Sequence, residues 1–517
     1  MKRRIGRIFA FAFLCLMFST ATSAYAVIPQ LLGPLSALVG IIGPILGFLA
    51  AAILTVWMFA RDSFMMLIFR MREFVSRHKA IVLILAIAII GGISWLTYQV
   101  VKPSDLPITT TNKKAPLITQ SAAMKLDKIG HLSSPWSTFR GGMTRTGHLD
   151  NLPGPTIGNP IWIFKETNAV AVDFSSSPAV VGDRLYVGSA QGSIFSSGGA
   201  VYCLDATNGE VIWRYSVPVQ IFSSPTVAGG RVYVGEGFHQ DVDCHLRCLD
   251  ANSGQEIWSF PTASHVESTP SVSQGKVYFG AGTDGVYCVD ALEGKEIWHY
   301  PSIHVDISPL ISDGKVFFGT GYGEYQIFSL DANTGKEIWS KPVAYPVWGS
   351  PSIHEDTVFF GLGNGNFIES ADEPKGRVIA VNVKTGEPIW RYESEDAVLT
   401  AVAYRDGFVY FGSRDGNVYV LKADTGELHW KASIGHPVVS SPAITEKMVY
   451  FGANNGIIYG VDLSSGETQW SFDTDEITGG LQIYSSPAIA NEKLYVGSTD
   501  RYIFCLGKKD DISIEDR

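Results

Sequence analysis

Tryptophan recurs at a nearly constant spacing through most of this 517-residue chain. The repeating positions are Trp162, Trp213, Trp258, Trp298, Trp339, Trp390, Trp430 and Trp470. The intervals are 51, 45, 40, 41, 51, 40 and 40 residues, and each full unit holds short alternating apolar runs separated by glycine-containing turns. Helical spacing is absent from this region, and long loops are expected only in the units with wider spacing, such as residues 189–199 and 363–376. A repeat near 40 residues that consists of short strands predicts a β-propeller with four-stranded blades.

The two ends of the repeat region each hold part of a unit. Residues 159–166 supply a tryptophan-bearing strand without the three strands that should precede it, and residues 485–507 supply three strands without a tryptophan strand. Together the two ends complete one blade, and their pairing would remove exposed sheet edges that invite aggregation. Eight tryptophans therefore predict an all-β, eight-bladed propeller.

Five of the eight tryptophans belong to a motif with Asp eight residues and Gly four residues before the tryptophan. In the first full copy, Gly209 permits a tight reversal, Asp205 can accept hydrogen bonds from the amides of the turn, and Trp213 can cover the neighbouring blade. The motif is therefore predicted to fasten blades together. The full copies are Asp205/Gly209/Trp213, Asp250/Gly254/Trp258, Asp290/Gly294/Trp298, Asp331/Gly335/Trp339 and Asp462/Gly466/Trp470, while Asn382 and Lys422 replace the Asp before Trp390 and Trp430.

This motif resembles the tryptophan-docking motif of quinoprotein-type, PQQ-like propellers, and the resemblance extends from about Pro135 to Gly507. The segment from Pro135 to His148 (PWSTFRGGMTRTGH) is similar to the entry segment of bacterial PQQ-like repeat proteins of the BamB type. That resemblance implies a noncatalytic scaffold, as in outer-membrane β-barrel assembly. The alternative is a dehydrogenase that uses pyrroloquinoline quinone (PQQ), Ca²⁺, an aspartate base and often a Cys-Cys pair.

The sequence favours the scaffold over the dehydrogenase. It contains no Cys-Cys pair, no recognisable Ca²⁺ and base constellation, and none of the long insertions of those enzymes. No cofactor is therefore expected, and PQQ with Ca²⁺ belongs only to the alternative. No lipid-anchor motif precedes Cys15, in contrast to the BamB pattern.

The cysteines of the repeats occupy equivalent positions. Cys203, Cys248, Cys288 and Cys505 stand where other units have a small residue, so we expect buried thiols without disulfides. Cys244 lies apart, in the segment HQDVDCHLRC with His239, Asp241, Asp243 and His245. Because alternating residues of such a segment point to opposite faces and the spacing matches no familiar site, no metal is predicted there.

Residues just before each innermost strand should ring one mouth of the central channel. The ring positions are Asp173, Gln220, His265, His304, Pro346, Ala397, Pro437 and Gln482, and Glu267, Asp306, Trp348 and Tyr484 follow two positions later in four of the blades. Asp173, Gln220, His265, Glu267, His304, Asp306, Trp348 and Gln482 are the candidate ligand-binding residues. The alternative is that they are ordinary solvated loop residues. No catalytic residue is predicted.

The first 101 residues have the composition of membrane segments. A basic start, an apolar run and a small-residue cleavage site after Ala26 resemble a secretory signal. Residues 27–60 and 80–101 carry no charge and are long enough to cross a bilayer, although the first, with three prolines, could instead be re-entrant. The basic loop between them predicts a cytoplasmic location for the loop and an extracytoplasmic one for everything after Val101, whether or not the first segment is cleaved.

These observations predict a signal-like segment at 1–26, a membrane region with two candidate transmembrane helices at 27–101, a linker at 102–134 and a propeller at 135–517. The net charge is −10 overall, and the first 101 residues carry +7, so the remainder carries −17. An acidic body argues against nucleic-acid binding. The chain is thus predicted to be a bacterial inner-membrane protein whose periplasmic propeller binds envelope proteins. A ligand sensor coupled through the helices is a further alternative.

Overall fold

The computed structural model describes residues 136–508 apart from residues 143, 149–152, 168, 170, 194–195, 240 and 480–481. The predicted signal-like segment, membrane region and linker lie outside these residues. Within the described part of the chain, no helix combines the length and the hydropathy that a bilayer crossing requires.

The described residues form eight antiparallel sheets, and the first strands of successive blades lie against one another in a closed ring. Blade 1 comprises β2 (Val172–Asp173), β3 (Ala179–Val181), β4 (Arg184–Ser193), β5 (Ser196–Asp205) and β6 (Val211–Val217), and blade 2 comprises β7 (Thr226–Ala228), β8 (Arg231–Gly235), β9 (Cys244–Asp250) and β10 (Glu256–Thr262). Blade 3 comprises β11 (Ser271–Ser273), β12 (Lys276–Gly280), β13 (Val286–Asp290) and β14 (Glu296–Tyr300), and blade 4 comprises β15 (Leu310–Ser312), β16 (Lys315–Gly319), β17 (Gln326–Asp331) and β18 (Glu337–Pro342). The eight-bladed all-β propeller is confirmed.

Blades 5 to 8 continue the same order. Blade 5 comprises β19 (Val347–His354), β20 (Thr357–Gly363), β21 (Gly376–Asn382) and β22 (Pro388–Ser394), and blade 6 comprises β23 (Ala403–Arg405), β24 (Phe408–Gly412), β25 (Asn417–Lys422) and β26 (Leu428–Ser433). Blade 7 comprises β27 (Ala443–Ile444), β28 (Met448–Gly452), β29 (Ile457–Asp462) and β30 (Thr468–Asp473), and blade 8 comprises β31 (Ala488–Ala490), β32 (Lys493–Gly497) and β33 (Tyr502–Leu506) with β1 (Pro160–Lys165). Blade 8 is closed by β1, which pairs antiparallel with β33 as the sequence predicts.

The docking motif joins each blade to the next. The ring of Trp213 lies over Gly254 of the following blade, and its Nε1 donates to the carbonyl of Ala251 at 3.1 Å. Gly254 has a φ of +71°, and a Cβ there would stand 2.6 Å from the indole. The same contact recurs around the ring in the pairs Trp162–Gly209, Trp258–Gly294, Trp298–Gly335, Trp339–Gly386, Trp390–Gly426, Trp430–Gly466 and Trp470–Gly158. The predicted fastening role of the tryptophans is confirmed.

The Asp of the motif holds the turn before the outer strand. Asp205 Oδ1 accepts a hydrogen bond from the amide of Thr207 at 2.7 Å. Asn382 makes the equivalent bonds to the amides of Lys384 and Thr385, at 3.0 and 3.2 Å. Lys422 instead pairs with Glu427 at 2.7 Å. An oxygen acceptor therefore supports this turn in most blades, whether or not it is charged.

The described cysteines are all buried and unbridged: Cys203, Cys244, Cys248, Cys288 and Cys505. Cys203 packs in an apolar cluster with Tyr186 and Trp213. Burial raises the pKa of the Cys203 thiol to about 11, so the thiol stays neutral at physiological pH. The predicted role as small apolar side chains is confirmed.

Two local predictions were wrong. The segment 189–199 was expected to be a long loop, but β4 and β5 continue as a paired ladder as far as Ser193 and Ser196. The segment therefore extends the hairpin as a regular ladder rather than as an irregular loop. Helix was not expected in the repeats, yet α1 (Asp475–Thr478) forms one turn, held by the Thr478 amide donating to Thr474.

Candidate functional site

One mouth of the channel is formed by the connections that lead into the innermost strands. In an antiparallel blade, the loop between the second and third strands returns to this same face, so both kinds of loop meet there. The docking turns lie on the opposite face. The candidate residues from the sequence therefore share one face, and their contacts divide them into groups.

The first group surrounds a buried carboxylate. His265 Nε2 lies 2.9 Å from Asp306 Oδ1, and His304 Nε2 lies 2.8 Å from Asp306 Oδ2. The His265 side chain is 2% exposed and that of Asp306 is 9% exposed. Burial alone would raise the pKa of Asp306, but the hydrogen bonds from the two histidines more than offset this and hold it at about 2. Asp306 is therefore an anion held between two imidazoles.

Glu267 and His239 extend this group towards solvent. Glu267 Oε1 accepts a hydrogen bond from the His239 amide at 2.8 Å and lies 3.0 Å from His239 Nδ1. The hydrogen bond to Glu267 raises the pKa of His239, although partial burial opposes it. We call His239, His265, Glu267, His304 and Asp306 the histidine cluster.

Aromatic side chains continue from the histidine cluster across the mouth. The ring of Tyr322 lies 4.8 Å from that of His304 and 5.2 Å from that of Trp348. Trp348 and Tyr484 both pack against the small apolar cluster of Ala397, Leu399 and Val439. A cavity of about 470 Å³ opens beside His304 and Tyr322. The mouth therefore combines the charged histidine cluster with neighbouring aromatic and aliphatic side chains.

Other ring positions form main-chain hydrogen bonds at the mouth. The carbonyl of Gln220 accepts the amide of Gly237 at 2.8 Å, and that of Gln482 accepts the amide of Thr499 at 3.2 Å, each 17 positions later (237−220 and 499−482). Pro346, Ala397 and Pro437 accept in the same way from Gly363, Arg414 and Asn454. This repeated bond fixes the inner end of the loop between the second and third strands, which gives these positions a structural role.

Asp173 lies at the end of β2, apart from the histidine cluster. Its Oδ1 accepts hydrogen bonds from the amide and hydroxyl of Ser175, at 2.6 and 2.5 Å. Burial raises the pKa of Asp173, and the bonds from Ser175 partly oppose the rise. The structure therefore brings together His265, Glu267, His304, Asp306 and Trp348, whereas Asp173 binds its own loop.

The opposite end of the channel is crossed by the entry segment. Within 136–148, the carbonyl of Ser137 accepts the amide of Val227 in blade 2, and that of Gly147 accepts the amide of Ile444 in blade 7. Arg145 donates to the carbonyl of Thr269 and the hydroxyl of Ser271 in blade 3, at 3.1 and 2.7 Å. Burial lowers the pKa of Arg145 to about 9. The entry segment therefore contacts distant blades at the end opposite the histidine cluster. We call the end that carries the histidine cluster the histidine mouth.

Two residues of this site, Tyr322 and His239, are not among those that the sequence predicts. Tyr322 lies between β16 and β17, and its position against His304 depends on the length of that loop. Glu267 and Tyr322, which contact His239, come from the two following blades and are not its neighbours in sequence. Because loops of unequal length break the repeat register, only the three-dimensional placement of the loops could have identified them.

The family model described as outer membrane protein assembly factor BamB matches residues 154–243, 242–370 and 374–510. The chain belongs to this family. The match covers well over half of the chain and agrees with the resemblance drawn from the docking motifs. The BamB-family repeats therefore account for the propeller.

Solved structures share the fold. BamB from Moraxella catarrhalis is 19% identical with a TM-score of 0.52, covering 67% of this chain and 98% of that one. Quinohemoprotein alcohol dehydrogenase from Comamonas testosteroni is 14% identical with a TM-score of 0.58, covering 75% and 83%. At these identities the likeness concerns the fold alone.

A short stretch is also similar to an enzyme. Lanthanide-dependent methanol dehydrogenase from Methylacidiphilum fumariolicum is 37% identical over 70 residues, which are 13% of this chain and 11% of the enzyme. The match spans about a ninth of that enzyme's length.

Proposed function

We propose that this BamB-family chain is a noncatalytic platform that binds another protein of the cell envelope on the histidine mouth of its propeller. One observation carries the proposal: large apolar side chains project into solvent from the loops around this mouth. They are Phe238, Val242, Tyr322, Tyr325, Phe367 and Ile368, with exposures of 38, 65, 45, 38, 40 and 81%. We call these six residues the apolar rim.

The positions of the apolar rim support protein binding. All six residues belong to the loops between the second and third strands of blades 2, 4 and 5. Phe238 stacks on His239 at 4.5 Å, and Phe367 lies 6.5 Å from Tyr484, so the rim adjoins both sides of the mouth. Clustered aromatic side chains beside polar groups are typical of protein interfaces.

The donor set of the mouth argues against the alternative of a PQQ-dependent dehydrogenase. Ca²⁺ prefers carboxylate and carbonyl oxygens, whereas Asp306 is bonded to two imidazoles. Trp348 and Tyr484 pack against Ala397, Leu399 and Val439. These residues do not fit PQQ with Ca²⁺, and we derive no reaction through them.

We further propose that residues 27–101 anchor the chain in the bacterial inner membrane, with the propeller in the periplasm. The charge-free segments and the basic loop between them support this topology. An anchored propeller would hold its binding face within the envelope, where partners of a BamB-like platform reside.

Photo-crosslinking in intact cells tests the platform. A crosslinking residue placed at Val242 or Ile368 of the full-length chain should give a discrete adduct with one envelope protein. The double change Phe238→Glu and Tyr325→Glu should weaken that adduct because it introduces charge into the apolar rim. A crosslinker at Glu293, an exposed docking-turn residue on the opposite face, is the control.

A thermal melt distinguishes the protein-binding platform from the PQQ-dependent dehydrogenase. PQQ with Ca²⁺ should leave the melting temperature of the full-length chain unchanged. A ligand that binds the folded state at 100 times its dissociation constant would stabilise it by about 2.7 kcal/mol. Stabilisation by PQQ, or equal crosslinking from both faces, would contradict the platform.

A further inference from the structure

Three successive blades place potential metal ligands at one point of the mouth. His239 comes from the β8–β9 loop, His265 from the connection between β10 and β11, and Asp306 from the connection between β14 and β15. One ligand atom from each residue lies within 4.8 Å of the other two. The convergence is a product of the fold, because the three residues are distant in sequence.

The distances among these atoms suit a small ion. His265 Nε2 is 2.9 Å from Asp306 Oδ1, Glu267 Oε1 is 3.0 Å from His239 Nδ1, and Glu267 Oε1 is 3.6 Å from His265 Nε2. A tetrahedral ion with bonds of about 2.1 Å separates its ligands by about 3.4 Å. Small side-chain movements therefore suffice to place two imidazoles and two carboxylates around one ion.

Neighbouring residues hold the ligands in place. His265 Nδ1 lies 3.2 Å from the hydroxyl of Ser264, which directs Nε2 towards Asp306. His304 bonds the second oxygen of Asp306, and the His239 amide bonds Glu267. Gly282 leaves room for the His265 ring, since a Cβ there would lie 2.6 Å from its Cε1. Such supporting bonds to ligand side chains are characteristic of metal sites.

We propose that His239, His265, Asp306 and Glu267 bind a divalent transition-metal ion of the zinc class. Imidazole nitrogen with carboxylate oxygen favours Zn²⁺, Co²⁺ or Ni²⁺ over Ca²⁺ and Mg²⁺, which prefer all-oxygen sites. The side chain of His239 is 42% exposed, so the ion enters from the mouth. Bound there, it ties together loops of three blades beneath the apolar rim. This inference does not depend on the identity of a partner protein.

Cobalt binding to the full-length chain provides the test. After treatment with a chelator, one equivalent of Co²⁺ should produce the visible absorption of a four-coordinate site, and Zn²⁺ should displace it. His239→Gln and Asp306→Asn should each weaken Co²⁺ binding by more than about tenfold. His436→Gln is the matched control, because His436 is an exposed histidine in the equivalent connection before blade 7.

The His239 side chain is the most exposed of the four proposed ligands, so His239→Gln should leave the fold intact. A loss of Co²⁺ binding in this variant then reports on the site and not on unfolding. A thermal melt in chelator checks that Asp306→Asn remains folded. Absence of Co²⁺ absorption with the wild-type chain would overturn the proposal. So would binding that His239→Gln leaves unchanged, or binding that His436→Gln weakens equally.

Discussion

At the scale of single residues, the docking turns of different blades show separately what hydrogen bonding and what charge contribute to the turn. Asp331 Oδ1 accepts the amides of Asn333 and Thr334 at 3.1 and 2.8 Å, and Asn382 makes the corresponding pair of bonds in blade 5. Both side chains present one oxygen in the same geometry. The turn therefore needs the acceptor, and the carboxylate adds a dependence on pH that the amide lacks.

Acidification should reveal that difference. Hydrogen bonds from Thr207, Thr334 and Ser464 lower the pKa values of Asp205, Asp331 and Asp462 from 3.8. A carboxyl group whose folded pKa is lowered stabilises the fold above its unfolded value and loses that contribution as the pH falls below it. The triple variant D205N/D331N/D462N should therefore lose less thermal stability than the wild type between about pH 5 and about pH 3.

The measurement is the melting temperature of both chains as a function of pH. At neutral pH the amides should keep the turn, as Asn382 does naturally, while the variant loses the part of the stability that the charged carboxylates contribute. A variant that loses stability in acid as steeply as the wild type would show that other carboxyl groups dominate the transition.

At the scale of the elements, contact between a tryptophan and a glycine turn determines how blades pack. Trp213 covers Gly254, whose φ of +71° already disfavours a side chain. Gly230 has a similar φ of +75°, but no atom lies within 4 Å of where its Cβ would be. The two glycines therefore separate the cost of backbone conformation from the cost of a steric clash with the neighbouring blade.

Alanine at each position should measure the two costs. Gly230→Ala should destabilise the chain by about 1–2 kcal/mol through its positive φ. Gly254→Ala should cost about 1–3 kcal/mol more, because the added methyl group overpacks the contact with Trp213. Chemical denaturation of the two variants gives the difference. Equal losses would mean that the indole moves aside freely.

The same elements show why the fold was easier to predict than the site. The regular spacing from Trp162 to Trp470 reflects local strands and a contact that is repeated in every blade. The number of blades and the closure of the ring could therefore be predicted from it. His265 and Asp306 stand in register with the inner strands and could be selected. Their contact with His239, and that of His304 with Tyr322, depends on loops that differ in every blade, and no repeat encodes such contacts.

At the scale of the whole molecule, the ring depends on one ladder that joins the two ends of the propeller. β33 pairs with β1 on one side and with β32 on the other. Phe504, Cys505 and Leu506 are fully buried within it. Loss of β33 would therefore expose two strand edges and part of the core at once.

Truncation should show this dependence. A chain that ends at Lys508 keeps every strand of the described propeller and should melt like the full-length chain. A chain that ends at Arg501 lacks β33 and should lose its cooperative transition and become sensitive to protease, because β1 is left without a ladder. Cooperative melting of the shorter chain would show that seven blades and a partial eighth suffice.

The pairing of β1 with β33 also sets an order of events during synthesis. Lys165 is made long before its partner Tyr502, by about half a minute at ~10 residues per second. Throughout that interval β1 has no sheet to join. Trp162 can already dock on blade 1, where its Nε1 donates to the carbonyl of Ala206 at 3.1 Å. The indole contact thus holds β1 against blade 1 until β33 is synthesised and completes the sheet of blade 8.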